Sequence, residues 1–315
     1  MDTTVITPDQ PALYVVATPI GNLRDLSRRA CDVLCDVRLV AAEDTRHTRQ
    51  LLQEIGSNAE LVSAHTHNER SRVDQISAIL AAGDSCALVS DAGTPAISDP
   101  GARLVNLIRE AGFRVIPIPG PSAVITLLSA AGIDADRFGE AADRFQFEGF
   151  LPARAGARKK RLEALSRVPV TLVLMEAPHR IAACLTDLAT VYGPDRTLVI
   201  GRELTKRFEQ IVSIKTGQAN AWLDSDSNHS RGEFILALAP PETGSADHDD
   251  ADHERIERGT AIEISSSAGQ LMTLLLADLP PAKAVRLARK LTNLPADPLY
   301  ALAVEIQSES RQRGR

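Results

Sequence analysis

The chain has 315 residues, 44% of them hydrophobic and 24% charged, a make-up that predicts a soluble globular protein with room for two ordinary domains. Its 35 Lys and Arg against 41 Asp and Glu leave a net charge of −6, which excludes a surface coated in basic residues for indiscriminate nucleic-acid binding. No apolar run approaches the roughly 18 residues of a membrane span, and the opening MDTTVITPDQP has neither the basic nor the apolar region of a secretion signal. A cytoplasmic protein with no membrane partner is therefore expected.

Through the first half, β-rich runs alternate with helical patterns. Strands are predicted at 13–17, 37–41, 87–90 and 114–118, and helices at 26–35, 45–55, 72–82 and 102–111. That alternation marks βαβ units around a largely parallel sheet. Cys31 and Cys35 lie one turn apart on the first helix, but no second pair completes a zinc site. The pair reads as packing or chance, and no metal is expected. The second half reads differently. Strands at 170–175, 197–200, 211–216 and 233–239, two of them with little room for a helix between, predict a mixed sheet with antiparallel members. Two α/β domains are placed at 12–131 and 132–241, and near their boundary Asp136-Arg137-Phe138 recurs as Asp143-Arg144-Phe145. Residues 242–263 turn to Asp, His, Glu, Gly and Ser, which reads as an acidic flexible linker rather than a metal site at His248 and His253. Beyond it, helical spacing at 268–277, 281–291 and 298–306 makes a small helical module over 264–315.

The densest signal is SDAGTPAISDPG at 90–101, where two glycines, two prolines and two aspartates stand between a strand and a helix. Ligands of open α/β sheets bind at such carboxyl ends of strands, and glycine and proline shape a loop that backbone can share with a ligand. The familiar cofactor signatures are absent. No two glycines are spaced as G-x-G, which excludes the dinucleotide fingerprint and the glycine-rich loop of most Rossmann-type methyltransferases. There is no Gly-Lys pair for a P-loop, no HExxH and no G-x-S-x-G. One local basic run, with Arg154, Arg158, Lys159, Lys160, Arg161 and Arg167 opposed only by Glu163, is suited to phosphate contacts or to a solvated helix face.

ATPIGNLRDLS, AAEDTRHTRQLL, LVSDAGTPAISDPG, VIPIPGPSA, FEGFLP, MEAPHR and GRELTK occur in that order. With these motifs the chain resembles the ribosomal RNA small subunit methyltransferase I group, of the tetrapyrrole-methylase fold (class III methyltransferases). The resemblance covers roughly 13–240, and the tail is similar to the group's C-terminal helices. It implies a homodimer of two-domain α/β chains that binds S-adenosylmethionine between the domains. It also implies 2′-O-methylation of a decoding-centre cytidine in 16S ribosomal RNA on the small ribosomal subunit. By the same resemblance, Pro19, Ile20, Thr94, Pro95, Ala96, Ile97, Ser122 and Ala123 line the cofactor cleft, and Met175, Glu176, Ala177, Gly232 and Glu233 join from the second domain.

A ribose hydroxyl is a weak acid, so a general base or a cation near the developing alkoxide is needed. Lys206 in GRELTK and Glu43 in EDTR are the expected catalytic groups, with His179 and Arg180 as further cleft candidates. Plain alternatives stand beside them: Asp44 as the cap of the helix opened by Thr45, and Glu203 as an ion-pair partner of Arg202 or Lys206. His65 and His67 depart from the group's pattern, which weakens a chemical role for His67. Arg154, Arg158, Lys159, Lys160 and Arg161 are expected to touch RNA phosphates. The competing functions are a small-molecule methyltransferase of the same fold and a noncatalytic RNA-binding assembly factor. TPIGN, EDTR and MEAPHR favour the RNA branch.

Overall fold

Runs such as ALYVV, LVAA and CALV are apolar at every position, so as strands they must be covered on both faces. They become β1 (Ala12–Val16), β2 (Leu39–Ala42) and β4 (Cys86–Val89), joined by β3 (Glu60–Ser63) and β5 (Arg114–Ile118). The order is β3-β2-β4-β1-β5 and every pair is parallel. The computed structural model describes residues 10–65, 69–243, 271–273, 275, 276, 279–292, 299, 300, 302–304 and 306. His67 and positions 244–263 of the expected linker, with His248 and His253, lie outside the described residues.

Successive strand residues point to opposite faces. Tyr14, Val16, Val40 and Ala42 pack on one face with Leu34 of α1 (Arg28–Asp36) and Leu51 and Leu52 of α2 (Thr45–Glu54). Leu13, Leu39, Ala41 and Leu88 pack on the other with Ile76 and Leu80 of α3 (Glu69–Ala81) and Leu104 and Ile108 of α4 (Ala102–Glu110). The caps are local: Ser27 Oγ accepts from Ala30 N at 3.1 Å, and Asp44 Oδ1 accepts from Arg46 N at 2.8 Å, so Asp44 caps α2 as its position suggested. Strand β3, absent from the sequence reading, has only Leu61 and Val62 as apolar signal and lies at the sheet edge.

The second sheet holds β6 (Phe145–Phe150), β7 (Thr171–Glu176), β8 (Thr197–Arg202), β9 (Gln210–Lys215) and β10 (Phe234–Leu238) in the order β6-β7-β10-β8-β9. Only β6–β7 is parallel, so the sheet is mixed as expected. Helices α5 (Ala123–Ala130), α6 (Ala135–Phe138), α7 (Ala155–Leu165), α8 (Ile181–Tyr192) and α9 (Ala219–Asp224) complete this half. One sheet face is covered by Leu162, Leu165, Cys184, Leu185, Leu188 and Leu223. The other face, through Val173, Val199, Ile235 and Ala237, receives Val124 and Leu127 of α5. Helix α5 thus leaves the first sheet and buries its apolar side on the second. The repeated tripeptide has two fates, with Phe138 buried and Phe145 48% exposed at the start of β6.

The chain divides at Thr243 into two compact units. In the second, α10 (Pro281–Thr292) buries Ala284, Val285 and Ala288 with Met272, Leu299 and Ala303. Among the described residues no helix is long and apolar enough to cross a membrane. Glu242, expected as the first linker residue, is instead fastened to the folded unit. Its Oε1 accepts from Lys215 Nζ at 2.6 Å, Arg137 Nη2 at 2.8 Å and Thr197 Oγ1 at 2.9 Å. The hydrogen bonds from Lys215 and Thr197, with Arg137 adding to them, overcome the opposing effect of burial and hold its carboxyl down to about 2 from an ordinary 4.5.

A carboxyl lowered in the fold contributes stability above its unfolded value and loses it as pH falls toward the folded one. Glu242→Gln should therefore lower unfolding free energy by about 1 kcal/mol near neutrality, after discounting for its partial exposure. In urea titrations that difference should shrink from pH 4.5 down to 2; a difference constant with pH would contradict it.

Candidate functional site

The exits of β1, β4 and β5 are hydrogen-bonded to one another. The loop after β4 is too long to satisfy its own backbone, so it borrows partners from its neighbours. Thr18 N donates to Gly93 O at 2.9 Å, and Gly93 N donates to Thr18 O at 3.0 Å, an isolated antiparallel bridge. The buried Thr18 hydroxyl adds a bond to Ser90 O at 3.2 Å. Farther along, Thr94 Oγ1 donates to Pro121 O at 3.2 Å and so ties in the exit of β5. Ala96 at φ 68° and Ser98 at φ 67° hold left-handed backbone without being glycine, the kind of local strain found at ligand-facing turns.

The structure brings the expected cofactor residues of the first half together at these exits. Pro95 is buried, Pro19, Ile20, Thr94, Ala96, Ser122 and Ala123 are half-buried, and Ile97 is 49% exposed. Met175 at the end of β7 packs in the same apolar cluster as Ile20 and Ala123. Glu176 is buried, with its carboxylate accepting from Ala177 N at 2.9 Å and lying 3.0 Å from Arg180 Nε. It shapes the turn that carries Ala177 and Arg180. His179 is exposed.

Gly232 and Glu233 belong to a second constellation, built on the hairpin between β8 and β9. Glu233 N donates to Glu203 Oε1 at 2.9 Å, and Glu203 N to Glu233 O at 3.0 Å. Lys206 Nζ reaches Glu203 Oε1 at 3.0 Å and Glu233 Oε2 at 2.9 Å, so Glu203 does pair with Lys206. Burial pulls the Lys206 ammonium down, but its hydrogen bonds to Glu233 and Glu203, reinforced by their charges, raise it above the ordinary lysine value. Lys206 is thus a fixed cation at neutral pH and cannot be a base. The clamp abuts the β1 exit, where a Cβ on Gly21 would stand 2.5 Å from Lys206 Cγ.

The mouth of the first sheet is acidic. Glu43 is half-buried at the end of β2; burial, then the charges of Asp91, Asp99 and Asp44, raise its carboxyl above the ordinary range. Asp99 is raised by burial and by Asp91 against a hydrogen bond from Ser90. These carboxylates repel one another, and a positively charged ligand would relieve that repulsion. Among the described residues no group of three or more His, Cys, Asp or Glu is placed to hold a metal ion.

The basic run divides by helical phase. Arg158 sits one turn before Leu162 and two before Leu165 on α7, so it faces inward with them. It is 4% exposed and bonds Asp187 at 2.6 Å. The expectation that Arg158 meets RNA phosphates is therefore corrected: its guanidinium is consumed inside the fold. Lys159 lies 3.5 Å from the same Asp187, and Arg161 chelates Glu148 at 2.5 and 2.7 Å. Arg154 and Lys160 stand exposed without a carboxylate partner among the described residues. Arg202, the other partner offered for Glu203, is instead buried, its guanidinium donating to Arg231 O at 2.7 Å and to Gln210 Oε1 at 3.0 Å. An arginine beside a glycine in a strand gave no sign of that inward turn.

The chain matches the family of tetrapyrrole (corrin/porphyrin) methylases over residues 12–220, and the RsmI C-terminal HTH domain over 263–307. It is 46% identical over 288 residues to the ribosomal RNA small subunit methyltransferase I of Xylella fastidiosa, covering 91% of this chain and 97% of that one. To the protein of the same name from Pseudomonas aeruginosa it is 43% identical, over 95% and 98% of the two chains. Among solved structures it is similar to the cobalt precorrin-4 methyltransferase CbiF at a TM-score of 0.56 and 16% identity, covering 72% of this chain and 94% of that one. It is also similar to a Thermus thermophilus uroporphyrin-III C-methyltransferase complexed with S-adenosylhomocysteine, at a TM-score of 0.51 and 18% identity, covering 72% and 97%.

Gly232 has φ 92°, and a Cβ there would meet Glu203 Cγ at 2.5 Å. Gly232→Ala should lower unfolding free energy by about 2 kcal/mol, from positive-φ strain plus displacement of Glu203. Chemical denaturation checks this; an unchanged midpoint would mean the clamp tolerates a side chain there.

Proposed function

The chain belongs to the tetrapyrrole methylase family and, within it, to the ribosomal RNA small subunit methyltransferase I group, and from that premise we propose that its methyl acceptor is a ribose 2′-oxygen. It is an S-adenosylmethionine-dependent ribosomal RNA methyltransferase. In this reading the target is a decoding-centre cytidine of 16S ribosomal RNA, met on the small ribosomal subunit by a cytoplasmic homodimer.

The residues present suit the cofactor. Small side chains and backbone groups at Pro19, Ile20, Thr94, Pro95, Ala96, Ile97, Ser122 and Ala123, with Met175 and Ala177 from the second sheet's side, would hold it. Glu43, Asp91 and Asp99 complement a sulfonium cation. The cofactor supplies an electrophilic methyl group whose leaving thioether is neutral, so no acid is needed on that side. The protein must orient the acceptor and manage the charge that develops on its oxygen.

Lys206 is the observation that carries the oxygen-directed reading. Its ammonium is held charged between Glu203 and Glu233, while the stem of the same side chain, at Cγ, packs close to Gly21 at the β1 exit. A pre-positioned cation there stabilises an alkoxide as it forms. Glu43, raised by burial and its acidic neighbours, is the candidate proton acceptor, because a more basic carboxylate takes a hydroxyl proton more readily. Gly232, Glu233 and Glu176 act behind this front, by shaping the clamp and the β7 turn.

Purified protein, labelled S-adenosylmethionine and small subunits lacking the modification test the reading. Label on a ribose 2′-oxygen near the decoding centre is expected, and transfer to a base or to no subunit RNA would refute it. Lys206→Met should cut kcat about 100-fold with cofactor affinity little changed. The rate should rise with pH through an ionisation above 4.5, and Glu43→Gln should abolish that rise. Arg154→Ala with Lys160→Ala should weaken subunit binding and reduce the salt slope by about 2. Arg158→Ala should instead cost about 3 kcal/mol of stability, because buried Asp187 loses its close partner and keeps only Lys159 at 3.5 Å.

A further inference from the structure

Phe208 is 66% exposed, more than any other aromatic side chain among the described residues. An exposed ring on a floppy loop would need no explanation, but this loop is held rigidly. It spans residues 203–209 and closes the hairpin whose last pair is Arg202 with Gln210. The buried Arg202 guanidinium donates to Phe208 O at 3.2 Å and to the Gln210 side chain at 3.0 Å. Glu209 Oε2 accepts from Thr205 N at 2.6 Å, and Lys206 N and Glu209 N bond Glu203 O and Lys206 O at 3.0 and 3.1 Å. Glu203 at φ 50° and Thr205 at φ 65° show that the fold sustains unfavourable backbone to keep this shape.

We propose that Phe208 is a stacking platform for an unpaired nucleobase of the RNA substrate, with Arg207 as its cationic neighbour. This rests on the reading of the chain as a ribosomal RNA methyltransferase. Bases stack on aromatic rings irrespective of sequence, and a guanidinium beside the ring adds attraction for a polyanion. The Arg207 guanidinium lies 5.5 Å from the Phe208 ring centroid, and among the described residues it has no carboxylate partner. The platform is two residues from Lys206, and Lys206 touches the cofactor-side turn at Gly21. A base stacked on Phe208 would thus sit on the same short loop as the lysine assigned to the acceptor oxygen. A protein partner would call for a contiguous apolar patch. Here the chain neighbours of the ring, Arg207 and Glu209, are charged and exposed.

The test compares wild type with Phe208→Ala and Phe208→Trp in steady-state methylation of small subunits, with S-adenosylmethionine affinity, thermal midpoint and oligomeric state measured alongside. Phe208→Ala should lower kcat/KM for subunits about 10-fold or more, mainly through KM. Cofactor affinity, thermal midpoint and oligomeric state should stay unchanged, and Phe208→Trp should restore activity. Wild-type turnover with Phe208→Ala unaffected would overturn the platform and leave the enzymatic reading standing. Loss of oligomeric state in Phe208→Ala would overturn it in favour of a contact between copies. A wild type that binds cofactor but methylates no ribosomal RNA would overturn the enzymatic reading, and the platform with it.

Discussion

The bridge between Thr18 and Gly93 is the constraint from which the site follows. A twelve-residue loop leaving the middle of a parallel sheet has more backbone donors and acceptors than it can pair internally. Reciprocal bonds at 2.9 and 3.0 Å to the exit of β1, and the Thr94 hydroxyl on Pro121 O, turn three separate strand ends into one body. Only with that body in place can Ala96 and Ser98 keep left-handed backbone, because surrounding contacts must offset the strain.

The second half meets this body through helix α5. Val124 and Leu127 are buried on the second sheet, in the cluster that also takes Ile20 and Met175. Two charged constellations are thereby set near the β1 exit. One is the acidic mouth of Glu43, Asp91 and Asp99, where mutual repulsion favours a cation. The other is the Glu203–Lys206–Glu233 clamp, where a lysine is kept charged by two carboxylates. The proposed transfer, from a cationic methyl donor to an oxygen that becomes negative, would draw on the first for the donor and on the lysine of the second for the acceptor.

How far the site could be read from the residue string depends on the kind of signal. The exits of β1, β4 and β5 were legible because Gly, Pro and Asp at strand ends are a local signature. The capping role of Asp44 and the pairing of Glu203 with Lys206 were legible for the same reason, since each partner lies within a few residues. Arg158 was misread because a charge run looks uniform in composition, while an α-helix assigns each residue a phase. Glu242 looked like linker because its partners, Arg137, Thr197 and Lys215, lie 27 or more residues away. Phe208 gave no signal at all, because exposure of a ring is a property of the fold around it.

By itself the sequence determined the βαβ alternation, the mixed second sheet, the Gly- and Pro-rich loops at the strand exits and the family, all of which are written in local periodicity and contiguous motifs. Only the tertiary structure decided which charges remain available. It turned Arg158 and Arg202 inward, neutralised Arg161 on Glu148, fixed Lys206 as a cation and left Arg154, Lys160 and Arg207 facing solvent. The reason is physical: secondary structure follows from neighbours along the chain, whereas the protonation and reach of a side chain follow from neighbours in space.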